Sequence, residues 1–237
     1  IFVFNTILLL AKLSTDNLEY IKEHYYRWGQ FKQIKIEFIT NELTSVEKNI
    51  NSICTISTTS QNATGFLYKK NDTDKNIYIV TCSHLVDKNN LSTIMASFGI
   101  KNNKRTNIST TAQFRIIGRD MFSDILVGVY DPLLPYNQTF KPDLSPYTAF
   151  RINLISDYKI GESIYTIGSI GLSDNNSLLK GDLIDPNYIG DFYPESTNIP
   201  ESLLMDLRSI GGISGSPIFK EENDNEVIGM MIGTIKN

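Results

Sequence analysis

A serine set between glycines near the C-terminal end is the residue of this chain best suited to chemistry. The segment 211–217 has the sequence GGISGSP, so Ser214 stands two residues after one glycine and one residue before another. Glycine permits backbone conformations with positive φ and close approach of a substrate. A serine hydroxyl is a poor nucleophile unless a base activates it and an acid orients that base. If Ser214 is a nucleophile that hydrolyses peptide bonds, the chain must also supply a histidine and an acid.

The chain has two histidines, and their surroundings differ. His24 falls in a predicted helix over 16–28, where a solvated or packed side chain is expected. His84 comes just after the apolar run 77–82, which predicts a buried strand. The end of a strand is a rigid platform for a functional side chain, so His84 is the candidate base. A buried structural histidine is the alternative.

Asp124 is the candidate acid among many acidic residues. It directly precedes the apolar run 125–129, which predicts another buried strand. A carboxylate at the mouth of a buried strand is costly unless it is hydrogen-bonded, for example to an imidazole N–H. Asp120 and Asp131 are alternatives, but their positions are more typical of turn residues.

Short strands separated by polar loops make up most of the chain after residue 50, which predicts an antiparallel sandwich or barrel. A stretch with four prolines, 132–146, predicts a linker between two β halves. Residues 1–50 contain the predicted helix, a predicted strand over 32–40 and an apolar start (1–13) that is too short to cross a bilayer. The predicted strands are 53–57, 65–69, 77–81, 94–98, 112–118, 125–130, 163–168, 177–184, 203–207, 217–220 and 227–232.

Composition excludes several classes of function. With 41% hydrophobic and 20% charged residues the chain is typical of a globular protein. A net charge of −4 without a Lys/Arg run argues against nucleic acid as a partner. Cys54 and Cys82 lie in apolar runs and are predicted to be buried free thiols, with a single disulfide as the alternative. The cysteines and histidines show no metal-ligand spacing, so we expect no metal. No cofactor is expected either, since the chemistry needs only side chains and water.

Five segments of the chain form a set of motifs: 81–86 (TCSHLV), 118–127 (GRDMFSDILV), 161–168 (GESIYTIG), 212–217 (GISGSP) and 227–230 (VIGM). Together they resemble the chymotrypsin-fold (trypsin-like) serine proteases, nearest the HtrA/Deg-like branch. The His–Asp–Ser order also separates the chain from α/β-hydrolases, which have the order Ser, acid, His. Asp206, eight residues before Ser214, matches the same pattern. The resemblance covers about residues 52–234.

The resemblance implies an all-β fold with two six-stranded antiparallel barrels and a short α+β N-terminal extension. The expected divisions are 1–50 for the extension, 51–135 for a first barrel with His84 and Asp124, and 147–237 for a second barrel with Ser214. Whether the second barrel is complete at its C-terminal end is left open by the sequence. The implied roles are nucleophile for Ser214, base for His84, orienting acid for Asp124, and oxyanion donors for the backbone N–H groups of Gly212 and Ser214.

The oxyanion loop departs from the family pattern, and the residues of the specificity pocket leave the substrate preference open. Ile213 stands where relatives have Asp or Asn, and the pair Gly211-Gly212 predicts a mobile oxyanion loop that can adopt an inactive state. The specificity pocket is expected near Arg208, Ile210, Met230 and Met231. An inward Arg208 predicts an acidic P1 side chain; an outward Arg208 predicts a small apolar one.

The sequence therefore predicts a serine endopeptidase that acts on polypeptides through an acyl-enzyme. A catalytically silent fold used for binding or assembly is the main alternative, and a small-molecule hydrolase is another. Residues 1–50 are a candidate binding segment for a protein partner. Asn-x-Ser/Thr sequons favour an extracytoplasmic location, or a place in a larger particle such as a virion, only slightly.

Overall fold

The computed structural model describes most of the chain from residue 52 onward. The described residues are 37–38, 52–57, 62–85, 92–101, 104–147, 149–153, 158–169, 176–188, 192–193, 202–206, 212–220 and 223–235. The helix predicted over 16–28 and most of the strand predicted over 32–40 lie outside them. Within the described residues, no helix is long and apolar enough to cross a membrane.

The first half of the chain folds into a closed antiparallel barrel of six strands in the order β2-β3-β4-β7-β6-β5. Side chains alternate across each strand, so one set fills the barrel interior. That interior includes Ile56, Leu67, Ile79, Phe98 and Phe114, each at most 1% exposed. The strands are β2 (Ile53–Ser57), β3 (Asn62–Tyr68), β4 (Tyr78–Cys82), β5 (Thr93–Lys101), β6 (Lys104–Asp120) and β7 (Ile125–Tyr130).

Three of these strands, β3, β5 and β6, are longer than predicted. β6 begins eight residues before the predicted start at residue 112, because its polar first part pairs with the end of β5, where Lys101 lies opposite Lys104. β3 begins at Asn62 rather than Gly65. Pairing with a neighbouring strand supplies backbone hydrogen bonds to segments whose side chains are not apolar enough to signal a strand.

The proline-containing segment 132–146, predicted to be a linker, lies between the two halves and contains local structure that the sequence did not predict. It contains helix α1 (Pro135–Phe140), with a proline at the start, where a missing N–H costs nothing. The buried side chain of Asn137 accepts a hydrogen bond from the backbone N of Gln113 (2.9 Å) and donates to its carbonyl (2.7 Å). The segment is therefore docked on β6 of the barrel.

The second half is a seven-stranded sheet. Six of its strands are hydrogen-bonded in the order β1-β10-β9-β13-β14-β8, and the seventh, β12, pairs with β10. β1 comes from the N-terminal extension and pairs with the start of β10. A two-stranded sheet of β11 and β15 completes the described strands. The strands are β1 (Glu37–Phe38), β8 (Arg151–Ile152), β9 (Ser163–Ser169), β10 (Asn176–Tyr188), β11 (Phe192–Tyr193), β12 (Ser202–Met205), β13 (Pro217–Lys220), β14 (Asn223–Met230) and β15 (Thr234–Ile235).

The two halves share an apolar core. Phe66 of the barrel lies edge-on to Phe150, and Phe150 lies edge-on to Phe219 of the second sheet, with ring centroids 6.2 and 5.1 Å apart. The backbone of Phe150 exchanges hydrogen bonds with Leu67 and Lys69 of the first half, and β8 then pairs with β14 of the second. This architecture confirms the predicted all-β, chymotrypsin-like double-barrel fold. The predicted domain boundaries stay predictions.

Candidate active site

His84 lies in a single 3₁₀ turn, Ser83–Leu85, directly after β4. Hydrogen bonds to Asp124 and Arg119 hold the backbone of this turn. The backbone N of His84 donates to Asp124 Oδ1 at 2.8 Å, and Arg119 donates from its guanidinium to the carbonyl of Ser83 at 3.0 Å. The imidazole is thus mounted on the end of a barrel strand, as its position in the sequence predicted.

Asp124 ends the tight turn between β6 and β7 and has a left-handed φ of 54°. A non-glycine residue in this region is strained and persists only where its surroundings hold it. Asp120 at the start of the turn accepts a hydrogen bond from the backbone N of Phe122 at 2.9 Å. The Ser123 hydroxyl and that backbone N–H lower the pKa of Asp120. The turn is therefore built to present the carboxyl of Asp124 inward.

The side chains of His84 and Asp124 form a close hydrogen-bonded pair. His84 Nδ1 lies 2.6 Å from Asp124 Oδ2; the carboxyl is fully buried and the imidazole is 14% exposed. Because a carboxylate can only accept, the hydrogen sits on Nδ1, and in the neutral imidazole Nε2 is left as the acceptor. Such an imidazole can take a proton at Nε2. The alternative acids are not in this position: Asp120 and Asp131 both hold turns, Asp131 by accepting from the backbone N of Leu133.

The segment around Ser214 is held in place by its own backbone. Gly212 and Gly215 have φ values of 98° and 86°, which glycine adopts without strain. Gly215 N donates to the carbonyl of Met231 at 2.7 Å, and Ser216 N donates to that of Ile213 at 3.0 Å. The loop predicted to be mobile is thus held by backbone hydrogen bonds from Gly212 onward. Gly211 lies outside the described residues.

Thr64 of the first barrel contacts this loop at two points, and sequence reasoning missed it. Its backbone N donates to the carbonyl of Ser214 and its hydroxyl donates to that of Gly212, both at 2.9 Å. Its own carbonyl accepts from the hydroxyl of Thr81, on the strand that leads to His84, at 2.7 Å. The only signal in the sequence was a threonine within the mainly apolar run 63–67.

Gly215 is enclosed by the same threonines. A Cβ atom at this position would lie 2.0 Å from the carbonyl oxygen of Thr64 and 2.6 Å from the hydroxyl of Thr81. No side chain fits there. The turn that carries Ser214 is packed directly against the strand that leads to His84.

Cys82, next to the acid–base pair, is a buried free thiol, and so is Cys54, as predicted. Cys82 donates to the carbonyl of Met231 (3.1 Å), which Gly215 N also contacts. Burial and then the negative charge of Asp124 raise the pKa of Cys82 well above its usual value.

The structure brings together three metal-ligand types that sequence spacing did not suggest. The sulfur of Cys82, a ring nitrogen of His84 and a carboxyl oxygen of Asp124 lie within 4.8 Å of one another. The Cys82 thiol donates a hydrogen bond to the carbonyl of Met231. The 2.6 Å between imidazole and carboxyl is also shorter than two ligands of one zinc ion permit. The group does not fit a metal.

The predicted specificity residues are only partly visible. Arg208 and Ile210 lie outside the described residues. Met231 is 5% exposed and packs in the core of the second sheet with Ile213, while Met230 is half-buried and packs against the barrel interior and the shared core. The pocket assignment stays a prediction for all four residues.

A family model described as the trypsin-like peptidase domain matches residues 63–230. The chain belongs to the trypsin-like peptidase family. The match includes both members of the His84–Asp124 pair and the loop of Ser214. It confirms the resemblance on which the sequence prediction of a trypsin-like protease rested.

Solved structures with the same fold include Deg5, the Rv3671c protease and an HtrA-type protease. Deg5 superposes with a TM-score of 0.55 at 19% identity, over 82% of this chain and 87% of that chain. The Rv3671c protease of M. tuberculosis H37Rv, in an inactive form, has a TM-score of 0.57 at 16% identity, over 84% and 88%. The HtrA-type protease AlgW, solved with a tripeptide, has 0.56 at 12% identity, over 78% and 52%. At these identities the likeness shows the fold. No curated protein sequence matches significantly.

Proposed function

We propose that this trypsin-like peptidase is an active serine endopeptidase with Ser214 as nucleophile, His84 as general base and Asp124 as orienting acid. The observation that carries the proposal is the buried hydrogen-bonded pair of His84 and Asp124. A buried carboxylate placed against Nδ1 leaves Nε2 free to accept a proton, which is the arrangement that serine activation requires.

The chemistry takes place in two stages. Ser214 Oγ attacks the carbonyl carbon of the scissile peptide while its proton passes to His84 Nε2. The imidazolium returns that proton to the leaving amine as the C–N bond breaks, which leaves an acyl-enzyme. Water then attacks the ester, His84 again accepts and returns a proton, and the carboxylic acid product departs.

The oxyanion of each tetrahedral intermediate is assigned to the backbone N–H groups of Gly212 and Ser214. Donors fixed beforehand stabilise the charge without reorganisation, and each contributes about 3 kcal/mol to lowering the barrier. The backbone contacts at Gly212, Ser214 and Gly215 support this assignment, because they limit the conformations that the loop can adopt.

Polypeptides are the proposed substrates. The AlgW protease, which shares the fold, was solved with a tripeptide, and a trypsin-like site attacks the amide carbonyl. The preference at P1 stays open between the two orientations of Arg208. The P1 preference of the Arg208→Ala variant, measured on a panel of peptides that differ at P1, decides between them. If the preference is the same as that of the wild type, Arg208 does not select an acidic P1 side chain. The partner role of residues 1–50 likewise stays a prediction.

Labelling with a fluorophosphonate probe tests the proposal. We expect the wild-type chain to be labelled at Ser214, with labelling abolished by Ser214→Ala and strongly slowed by His84→Ala. Ser216→Ala and His24→Ala are matched controls, one in the same loop and one at the other histidine, and both should label normally. A wild-type chain that folds but resists the probe contradicts the proposal and favours the silent binding fold.

A further inference from the structure

Thr64 lies where the two halves of the protein meet at the Ser214 loop. It is fully buried on β3 of the first barrel, whereas the loop belongs to the second half. The carbonyls that it binds, those of Gly212 and Ser214, belong to the two residues whose N–H groups are the proposed oxyanion donors. The orientation of those residues thus depends on a residue far away in the chain.

The two bonds act on backbone dihedrals that decide where the donors point. A glycine rotates freely, and Gly212 at φ 98° could adopt many other conformations. Hydrogen bonds to the carbonyls of residues 212 and 214 restrict the ψ angle at both positions. Because the peptide plane of Ile213–Ser214 lies between these two carbonyls, its orientation is restricted as well. The N–H of Ser214 lies in that plane.

Thr64 is itself held from the side of the base. Its carbonyl accepts the hydroxyl of Thr81, which lies three residues before His84 on β4 and is also fully buried. The chain of contacts from Thr81 through Thr64 to the loop therefore relates the strand of the base to the turn of the nucleophile. Buried hydroxyls with carbonyl partners keep their geometry because breaking the bond leaves an unsatisfied acceptor.

We propose that Thr64 is a positioning residue for the oxyanion hole. Its hydroxyl, which belongs to the first half of the fold, aligns the N–H donors of Gly212 and Ser214 in the second half with the transition state. This inference rests on the proposed peptidase function. It predicts that removing the hydroxyl slows the chemical step more than it weakens binding, since misplacing a catalytic group by about 1 Å can cost about 100-fold in rate.

Saturation kinetics of labelling by a fluorophosphonate probe separate these effects. For Thr64→Val, which keeps the shape and loses the donor, we expect the maximal labelling rate to fall about 10- to 100-fold with the half-saturating probe concentration changed less than about threefold. The pH midpoint of labelling should be unchanged, because the His84–Asp124 pair is untouched. Thr64→Ser, which keeps the hydroxyl, should restore most of the rate.

Thr166→Val is the matched control for lost stability. Thr166 is also fully buried and donates to a backbone carbonyl, that of Pro217, at 2.7 Å, but it does not bind the carbonyls of Gly212 or Ser214. We expect it to lower the melting temperature without lowering the maximal labelling rate. If Thr64→Val does not fold, Thr81→Val releases the carbonyl of Thr64 and should give a smaller loss of the same kind.

The outcomes separate this inference from the proposed function. If the wild-type chain is labelled and Thr64→Val reacts within twofold of it, or Thr166→Val slows labelling equally, the positioning role is wrong and the peptidase stands. A wild-type chain that is never labelled overturns both. A fall in rate with a shifted pH midpoint also overturns the positioning role, because it locates the effect at the base.

Discussion

The two halves of this protein hold their parts of the site in different ways. In the first half a closed barrel positions His84 and Asp124, which contact each other directly through side chains. In the second half a loop next to the sheet carries Ser214, and this loop is anchored by backbone contacts within its own half and by two hydrogen bonds from Thr64 of the first half. The geometry of the acid–base pair should therefore be insensitive to substitutions that disturb the contacts between the halves. The alignment of the nucleophile should depend on those contacts.

Asp124→Asn tests the acid–base pair in the first half, and of all the variants we expect it to have the largest effect on activity. The amide presents an N–H to Nδ1 and favours the wrong imidazole tautomer, so kcat should fall about 10⁴-fold. Peptide hydrolysis or probe labelling measures the loss. Asp131→Asn, which alters a carboxylate that holds a turn, is the control, and equal losses for the two would contradict the assignment of the acid.

Phe150→Ala tests the shared core between the halves. The ring packs against Phe66 of the barrel and Phe219 of the second sheet, so its loss should lower the free energy of unfolding by about 3–5 kcal/mol. Urea denaturation measures this. Phe140→Ala is the control, since that ring is 65% exposed, and should change stability by about 0.5 kcal/mol or less. A loss below about 1 kcal/mol for Phe150→Ala would show that the core does not join the halves.

Gly215→Ala tests how closely the nucleophile loop packs on the barrel. The new methyl group would overlap Thr64, and a φ of 86° is strained for alanine. Together these should cost about 2–4 kcal/mol of stability and slow probe labelling as the loop moves away. Gly118→Ala is the control, because open space surrounds that position. An unaffected Gly215→Ala variant is the result that would refute the close contact.

Alkaline pH should weaken the first half specifically, because both cysteines lie there. Burial raises the pKa of Cys54 and Cys82 well above the usual value, so above about pH 8.5 the thiols ionise in the unfolded chain and not in the folded one. Stability is therefore lost as pH rises, by up to about 1.4 kcal/mol per pH unit for each thiol. Unfolding free energies at pH 8.5 and 9.5 measure the slope, and Cys54→Ala should halve it. An unchanged slope in that variant assigns the loss to other groups.

Ser216→Ala should have the smallest effect, on the second half. Among the described residues the buried hydroxyl of Ser216 has no hydrogen-bond partner. Removing an unsatisfied buried polar group should raise the free energy of unfolding by about 1 kcal/mol. Thermal melting measures the shift, and a clear decrease would mean that the hydroxyl has a partner in the native protein.

Much of the fold could be predicted from the sequence where strands are apolar and bounded by turns. Strands β2, β7 and β13 begin and end at the predicted residues. The first part of β6 and helix α1 could not be predicted, because pairing with β5 and the buried side chain of Asn137 stabilise them. Hydrophobic periodicity reports only burial within one segment.

The sequence by itself determined the residue types and order of the candidate site: a histidine after one strand, an aspartate before another, and a serine between glycines. These signals are local, because strand ends and turns have their own composition. Only the tertiary structure decided that Asp124, among the acidic residues, meets His84, and that Thr64 holds the Ser214 loop. Such contacts join residues distant in the chain, and their geometry follows from strand register and packing between the halves, which no single segment encodes.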